Sequence, residues 1–287
     1  MHKYSPFVII ISMNNLRQTF SYLFGQGRGK RFIVLFLLLL IPCAILAYFL
    51  PLGSFVDFFT EYSSTGFSDW GSLYLSVFDF SVYTAIGLPV AFILFIFCLA
   101  YVATLITRHV HVGEFTLPKI LYSVNENFFP ALAFILFLTV ITALSHLFFS
   151  LFAFTFMQIS SRAFGLVLSI IALILLYLAL ICIVSPTTLW LPVMSFTGLY
   201  VGQALASAYY KSRRIAKSLI VPLFVISATV FAVSTVIRLT HIWYIEWIVN
   251  TLTYTTASVT YVTFAMLSYC DVESVKREDL AKKFFGR

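Results

Sequence analysis

The feature that most limits the folds open to this chain is the spacing of its charges. Six long runs, of 20 residues or more, contain no Asp, Glu, Lys or Arg: residues 32–56, 80–107, 127–161, 163–210, 218–237 and 247–270. A helix rises 1.5 Å per residue, so a bilayer core of about 30 Å is crossed by roughly 20 apolar residues. Each run is long enough. Only 10% of the chain is charged and 61% is hydrophobic, whereas a soluble domain carries about a quarter of its residues as charges. The expected fold is all-α and polytopic, with six transmembrane helices at about 32–51, 80–106, 130–156, 164–188, 219–238 and 248–269. An N-terminal segment, 1–31, and a charged tail, 271–287, flank the transmembrane domain at 32–270. The first apolar run, from Phe32 to Leu52, exceeds the core of a signal peptide and reads as a span.

Orientation follows from Lys and Arg, which are retained on the cytoplasmic side. With the N-terminus inside, 16 of the 18 basic residues fall in cytoplasmic segments, and only Arg162 and Arg238 fall outside. Both termini are then cytoplasmic. The same topology accounts for the net charge of +7, so nucleic acid is not an expected partner. A seven-span division of 163–210 would put Lys211 to Lys217 outside, against the charge rule. Residues 186–197 instead read as a proline-broken approach to the inner face, with Trp190 suited to the headgroup zone.

The stretch Gly198 to Val221 carries the repeating unit: an amphipathic helix on Leu205, Tyr209, Ser212, Ile215 and Leu219, a basic cluster, and then an apolar span. Such helices lie in the membrane interface. Weaker copies occur at Met13, Leu16, Phe20 and Leu23, and at Leu117 to Phe128, where Thr116 is the expected N-cap and Pro118 lies in the first turn. Cys98, Cys182 and Cys270 recur near the inner end of each even-numbered span. The expectation is three parallel two-span repeats, each with a short cytoplasmic interfacial helix, related by an axis along the membrane normal. No cysteine stands in a CxxC pair, so all four read as small buried hydrophobes.

The LRQTF helix, the LPKILYSVNENFFPAL segment and LYVGQALASAYYKSRRIAKSL before the fifth span together resemble six-span bacterial proteins related to the membrane domain of glycerophosphodiester phosphodiesterases. The resemblance implies the bacterial cytoplasmic membrane and amphipathic helices before the odd spans. It implies no hydrolase activity, since no catalytic motif is among the matching residues.

Five places invite a functional reading. His146 is the one clear ionisable residue inside the expected spans; intramembrane ionisable groups mark proton or ligand sites, but a hydrogen-bonded packing role is the plainer account. In the last span Tyr254, Ser258, Tyr261 and Ala265 share a stripe with Thr251 and Thr255 beside it. That stripe is the best candidate for lining a cavity, with helix packing as the alternative. The outer loop 52–79 holds Asp57, Glu61, Asp69 and Asp79 and no basic residue, which reads as an acidic, aromatic interface loop. His109, His111 and Glu114 form HVHVGE, too few ligands for zinc. Lys211, Arg213, Arg214 and Lys217 form the strongest basic cluster and are the expected contact for anionic inner-leaflet lipid or for a protein partner.

No cofactor or metal is expected, and no Gly-rich phosphate loop, HExxH or GxSxG motif occurs. The expected function is a non-enzymatic accessory or regulatory membrane protein working through lipid or protein partners. The alternative is a permease for a lipid or small apolar molecule.

Overall fold

The computed structural model describes residues 7–25, 29–64, 66–76, 82–113, 115–117, 119–159 and 161–279, without the side chains of 7–14, 82, 121 and 123. Among these residues every regular element is an α-helix. In chain order they are α1 (Phe7–Phe24), α2 (Lys30–Phe49), α3 (Ser54–Ser64), α4 (Trp70–Ser76), α5 (Val82–Val112), α6 (Ile120–Met157), α7 (Arg162–Thr187), α8 (Trp190–Thr197), α9 (Val201–Arg238) and α10 (Trp243–Glu273).

Five stretches are long and apolar enough to cross a membrane: Lys30–Ser64, Tyr83–Val112, Val124–Met157, Arg162–Thr197 and Val201–Arg238. Their outward faces carry large apolar side chains at helical spacing. Leu136, Val140, Leu144, Phe148 and Phe152 follow one another along α6, and Val167, Ile171, Ile174, Leu175 and Leu178 along α7, all exposed. Apolar surface of that extent is not tolerated by water, but hydrocarbon accepts it without cost.

The six long helices close into a ring in chain order. Helix α2 packs on α5, α5 on α6, α6 on α7, α7 on α9, α9 on α10, and α10 returns to α2. Long helices that follow one another in the chain are thus neighbours in space, as chain connectivity favours. The ring is uneven. Helix α10 also touches α1, α5 and α8, and from Val259 to Cys270 every residue but Tyr261 is buried. This helix falls short of the apolarity of the other five because Thr251, Thr253, Thr255, Ser258, Thr260 and Thr263 interrupt it. Of these, Thr251, Thr255, Thr260 and Thr263 are buried against neighbouring helices. Thr251, Thr253 and Thr255 donate to carbonyls one turn back, at 2.7 Å each, which satisfies them locally.

One end of the ring is rich in basic residues. There α1 lies against the first half of α9, α10 and α2, and α8 fills the space between α5, α6, α9 and α10. Leu189, Trp190, Leu191, Val193 and Met194 are all buried. Trp190 is therefore not at the headgroups: its indole N–H donates to the Val201 carbonyl at 3.0 Å, and its ring meets Phe137 edge-on. Helix α8 ends where Gly198 turns left-handed, φ 67°, the conformation glycine adopts at low cost. At the opposite, acidic end, α3 and α4 build a cap. Phe58, Tyr62 and Leu73 from the cap pack with Phe149 and Ala153 of α6.

Four local expectations are corrected. Thr116 is not an N-cap: α6 starts at Ile120 with extended Lys119 before it and no side-chain cap bond, and Pro118 lies outside the described residues. The amphipathic stretches before the third and fifth spans are not separate helices. Helix α6 continues through Pro130 without a break, whereas α9 bends at Ile215 (φ −122°, ψ 18°), a turn before Ser218, whose carbonyl has no donor in Pro222. The buried stripe of that first half is Ala204, Ala208 and Ser212, one residue off the expected Leu205 and Tyr209; Tyr209 is exposed. Small residues win that face because α1 and α8 pack against it closely. The four cysteines are free, but Cys182 is exposed and Cys98 only half-buried. Cys98 packs at the edge of the main apolar core, and Cys182 lies on an outward face of α7.

Candidate functional site

The hydroxyl stripe of α10 lies along the seam with α2. Tyr254 donates to the Leu50 carbonyl at 2.9 Å and accepts the Leu52 N–H at 3.0 Å. It thereby satisfies two backbone groups where α2 ends, groups that a helix terminus leaves without partners. Ser258 stands 3.9 Å from Cys43 Sγ. Tyr261 stacks on Phe134, rings 6.1 Å apart and 17° from parallel, with its hydroxyl beside Thr188. These side chains join α10 to α2, α6 and the α7–α8 turn. We expect Tyr254→Phe to lower stability by about 1–2 kcal/mol, the net worth of the lost hydrogen bonds. A thermal unfolding midpoint equal to wild type in the same detergent would refute this role.

His146 occupies a different pair of elements. It is buried in α6 and stacks on Tyr74 of α4 at 4.4 Å, holding the cap to the ring. His109 and His111 diverge. His109 is buried, with Nδ1 at 2.8 Å from the Tyr22 hydroxyl and Phe115 edge-on to its ring, and burial raises the Tyr22 pKa. His111 is exposed beside Phe196. Glu114 lies outside the described residues, and no group of three or more His, Cys, Asp or Glu gathers for a metal among those described.

The acidic loop is more ordered than its sequence suggests. Asp69 caps α4: its Oδ1 accepts the Ser72 N–H at 2.9 Å and Oδ2 the Ser68 hydroxyl. Those bonds hold its carboxyl below the usual carboxylate range. Asp57 and Glu61 share a face of α3, as their i, i+4 spacing requires, and line a cleft of about 410 Å³ with Ser54, Phe58, Leu75, Ser76 and Arg238. Asp79 lies outside the described residues. The two basic residues that break the charge rule are both used by this cap. Arg162 donates to the Ser64 carbonyl at 2.9 Å. Arg238 bonds Asp57 through Nε and Nη2, and Glu246 through Nη1 at 2.6 Å.

That last cluster is what sequence reasoning missed. Glu246 is 5% exposed and Asn250 fully buried, and Asn250 Oδ1 accepts from Ser234 at 2.8 Å. The signal was present. Glu246, Asn250 and Tyr254 stand at i, i+4 and i+8, one face of a helix, but a span drawn from residue 248 leaves Glu246 outside the membrane and hides the series. Gly53 shows how tightly the corner is packed, because a Cβ there would lie 2.7 Å from Arg238 Cβ and 2.8 Å from the Ser234 carbonyl oxygen.

At the basic end the cluster on α9 divides by role. Lys211 pairs with Glu273 at 3.1 Å and sits over the Tyr269 ring, linking α9 to the end of α10. Arg213, Arg214 and Lys217 are exposed, and Arg214 lies over the Tyr210 ring. Tyr209, Tyr210 and Tyr200 are exposed beside them. Exposed aromatics next to exposed cations suit a headgroup layer, which is apolar on one side and anionic on the other. Arg28, Lys282 and Lys283 lie outside the described residues. No family model, curated protein or solved structure matches this chain.

Proposed function

We propose that this chain is a six-span, non-enzymatic protein of the bacterial cytoplasmic membrane, regulating or assisting partners from a basic face docked on anionic inner-leaflet lipid. In this reading α2, α5, α6, α7, the second half of α9, and α10 are the spans, arranged as three parallel two-span units. Both termini are cytoplasmic. Support for the sixth span comes from the burial of α10, which removes the objection to its hydroxyls. The observation that carries the functional reading is the exposed trio of Arg213, Arg214 and Lys217 with Tyr209 and Tyr210, on a helix that bends at Ile215 into the apolar span.

Each basic residue near an anionic leaflet contributes on the order of 1 kcal/mol, and 1.4 kcal/mol is about tenfold in affinity. Arg213→Glu with Arg214→Glu is therefore expected to weaken phosphatidylglycerol retention at least thirtyfold. Native mass spectrometry of protein released from nanodiscs of mixed phosphatidylglycerol and phosphatidylcholine measures this. Equal phosphatidylglycerol retention by variant and wild type would contradict the proposal.

A permease for a lipid or small apolar molecule is the second reading. It is favoured by the enclosed Thr263 and Ser268 hydroxyls of α10, which meet no protein partner among the described residues. Its test is flux of a fluorescent lipid in liposomes that carry the purified protein.

A further inference from the structure

The α9–α10 seam at the acidic end holds more polar chemistry than its ion pair uses. Glu246 binds Arg238 through Oε2, while its Oε1 is enclosed and meets no protein donor. One turn on, Asn250 engages Ser234 through Oδ1, and the other end of its amide is likewise enclosed and unpartnered. Ser234 is fully buried beside Asn250 and also neighbours the Tyr254 hydroxyl. A buried polar atom left without a partner costs about 1–3 kcal/mol, and native proteins fill such positions with water or an ion.

Charge and ligand type say which. Asp57 and Glu246 carry two negative charges and Arg238 one positive charge, so the cluster is one negative charge in excess. The two ends of the Asn250 amide are interchangeable by rotation, because a serine hydroxyl both donates and accepts. With the amide turned, its NH2 meets Ser234 and its carbonyl takes the enclosed position. Both unpartnered atoms are then oxygens, with the Ser234 hydroxyl adjacent. Oxygen ligands select hard cations, and a divalent ion such as calcium demands more carboxylates than this corner has.

We propose that Glu246 Oε1, the Asn250 side-chain carbonyl and Ser234 Oγ bind a monovalent cation of sodium size between α9 and α10. The ion neutralises the corner and ties the α3 cap, through Arg238, to the α9–α10 hairpin. This site lies at the opposite end of the ring from Arg213 and Arg214 and stands or falls independently of the lipid contact.

The test is direct binding of ²²Na⁺ to the full-length protein in detergent, by scintillation proximity, with choline chloride holding ionic strength constant. Saturable binding of one ion per chain is expected, displaced by unlabelled NaCl and not by choline. Glu246→Gln and Ser234→Ala should each weaken it at least tenfold. Ser234→Ala deletes only a hydroxyl and keeps the Arg238 ion pairs, so it reports on the site even where Glu246→Gln folds poorly. Absence of saturable binding by wild type would mean that the enclosed atoms hold water or a proton, and would overturn the proposal. So would a Ser234→Ala protein that binds like wild type.

Discussion

Arg238→Ala is expected to destabilise the protein by about 3–5 kcal/mol, the cost of leaving a buried carboxylate without its counter-ion. Glu246 is the reason, since only 6% of its side chain is exposed and Arg238 is its only ion-pair partner among the described residues. Asp57 is about half exposed and can be hydrated, so Asp57→Asn should cost much less, within the range of a surface pair. The double change Arg238→Met with Glu246→Leu should recover most of the loss, because paired replacement of a buried ion pair by apolar side chains is often neutral. Thermal unfolding in detergent, with a double-mutant cycle across the pair, measures all three. A single-variant loss below 1 kcal/mol for Arg238→Ala would show that the carboxylate is hydrated in the folded protein.

Trp190→Ala should be comparably damaging, about 3–5 kcal/mol, the usual cost of truncating a buried aromatic. Trp190 is 4% exposed and is the contact through which α8 holds the first turn of α9, by way of the Val201 carbonyl. Loss of the ring opens space against Phe137 and frees the amphipathic half of α9. Hydrogen exchange over residues 201–212 should therefore accelerate more than exchange in the second half of α9. Trp190→Phe preserves most of the volume and loses one N–H donor, so it should cost roughly 1 kcal/mol. Equal exchange along α9 in Trp190→Ala would mean that α8 does not anchor the interfacial half.

Charge spacing made the long helices legible, because hydrocarbon excludes unpaired charge and backbone polarity forces helices there. A helix limit was located to within a few residues where a charge stood at it, as at Arg162 for α7 and Arg238 for α9. Boundaries were missed where a helix runs on beyond the uncharged stretch that marked it. Helix α5 continues to Val112, where Gly113 turns left-handed, and α6 begins at Ile120, two residues after Pro118. What periodicity alone does not reveal is which polar face meets which neighbour. Tyr254 is a helix-end partner for α2 because Leu50 and Leu52 lie opposite it, 204 and 202 residues away in the chain. Leu205 and Tyr209 looked like a buried stripe by hydrophobicity, yet close packing against α1 and α8 selects Ala204 and Ala208. The Asp57, Arg238 and Glu246 cluster joins the α9–α10 hairpin to α3, 181 residues earlier, so only the i, i+4 series on α10 could have hinted at it.

The central claim is that α10 crosses the membrane despite its hydroxyls, so that the α9–α10 turn and the segment after α10 lie on opposite sides. Single cysteines at Thr240 and at Lys276, in a chain with the four native cysteines replaced by alanine, test it most directly. Intact cells are treated with a membrane-impermeant maleimide before and after permeabilisation. The account predicts labelling of the residue-240 cysteine in intact cells and of the residue-276 cysteine only after permeabilisation. Labelling of both positions in intact cells, or of neither, would place the two ends of α10 on the same side and contradict it.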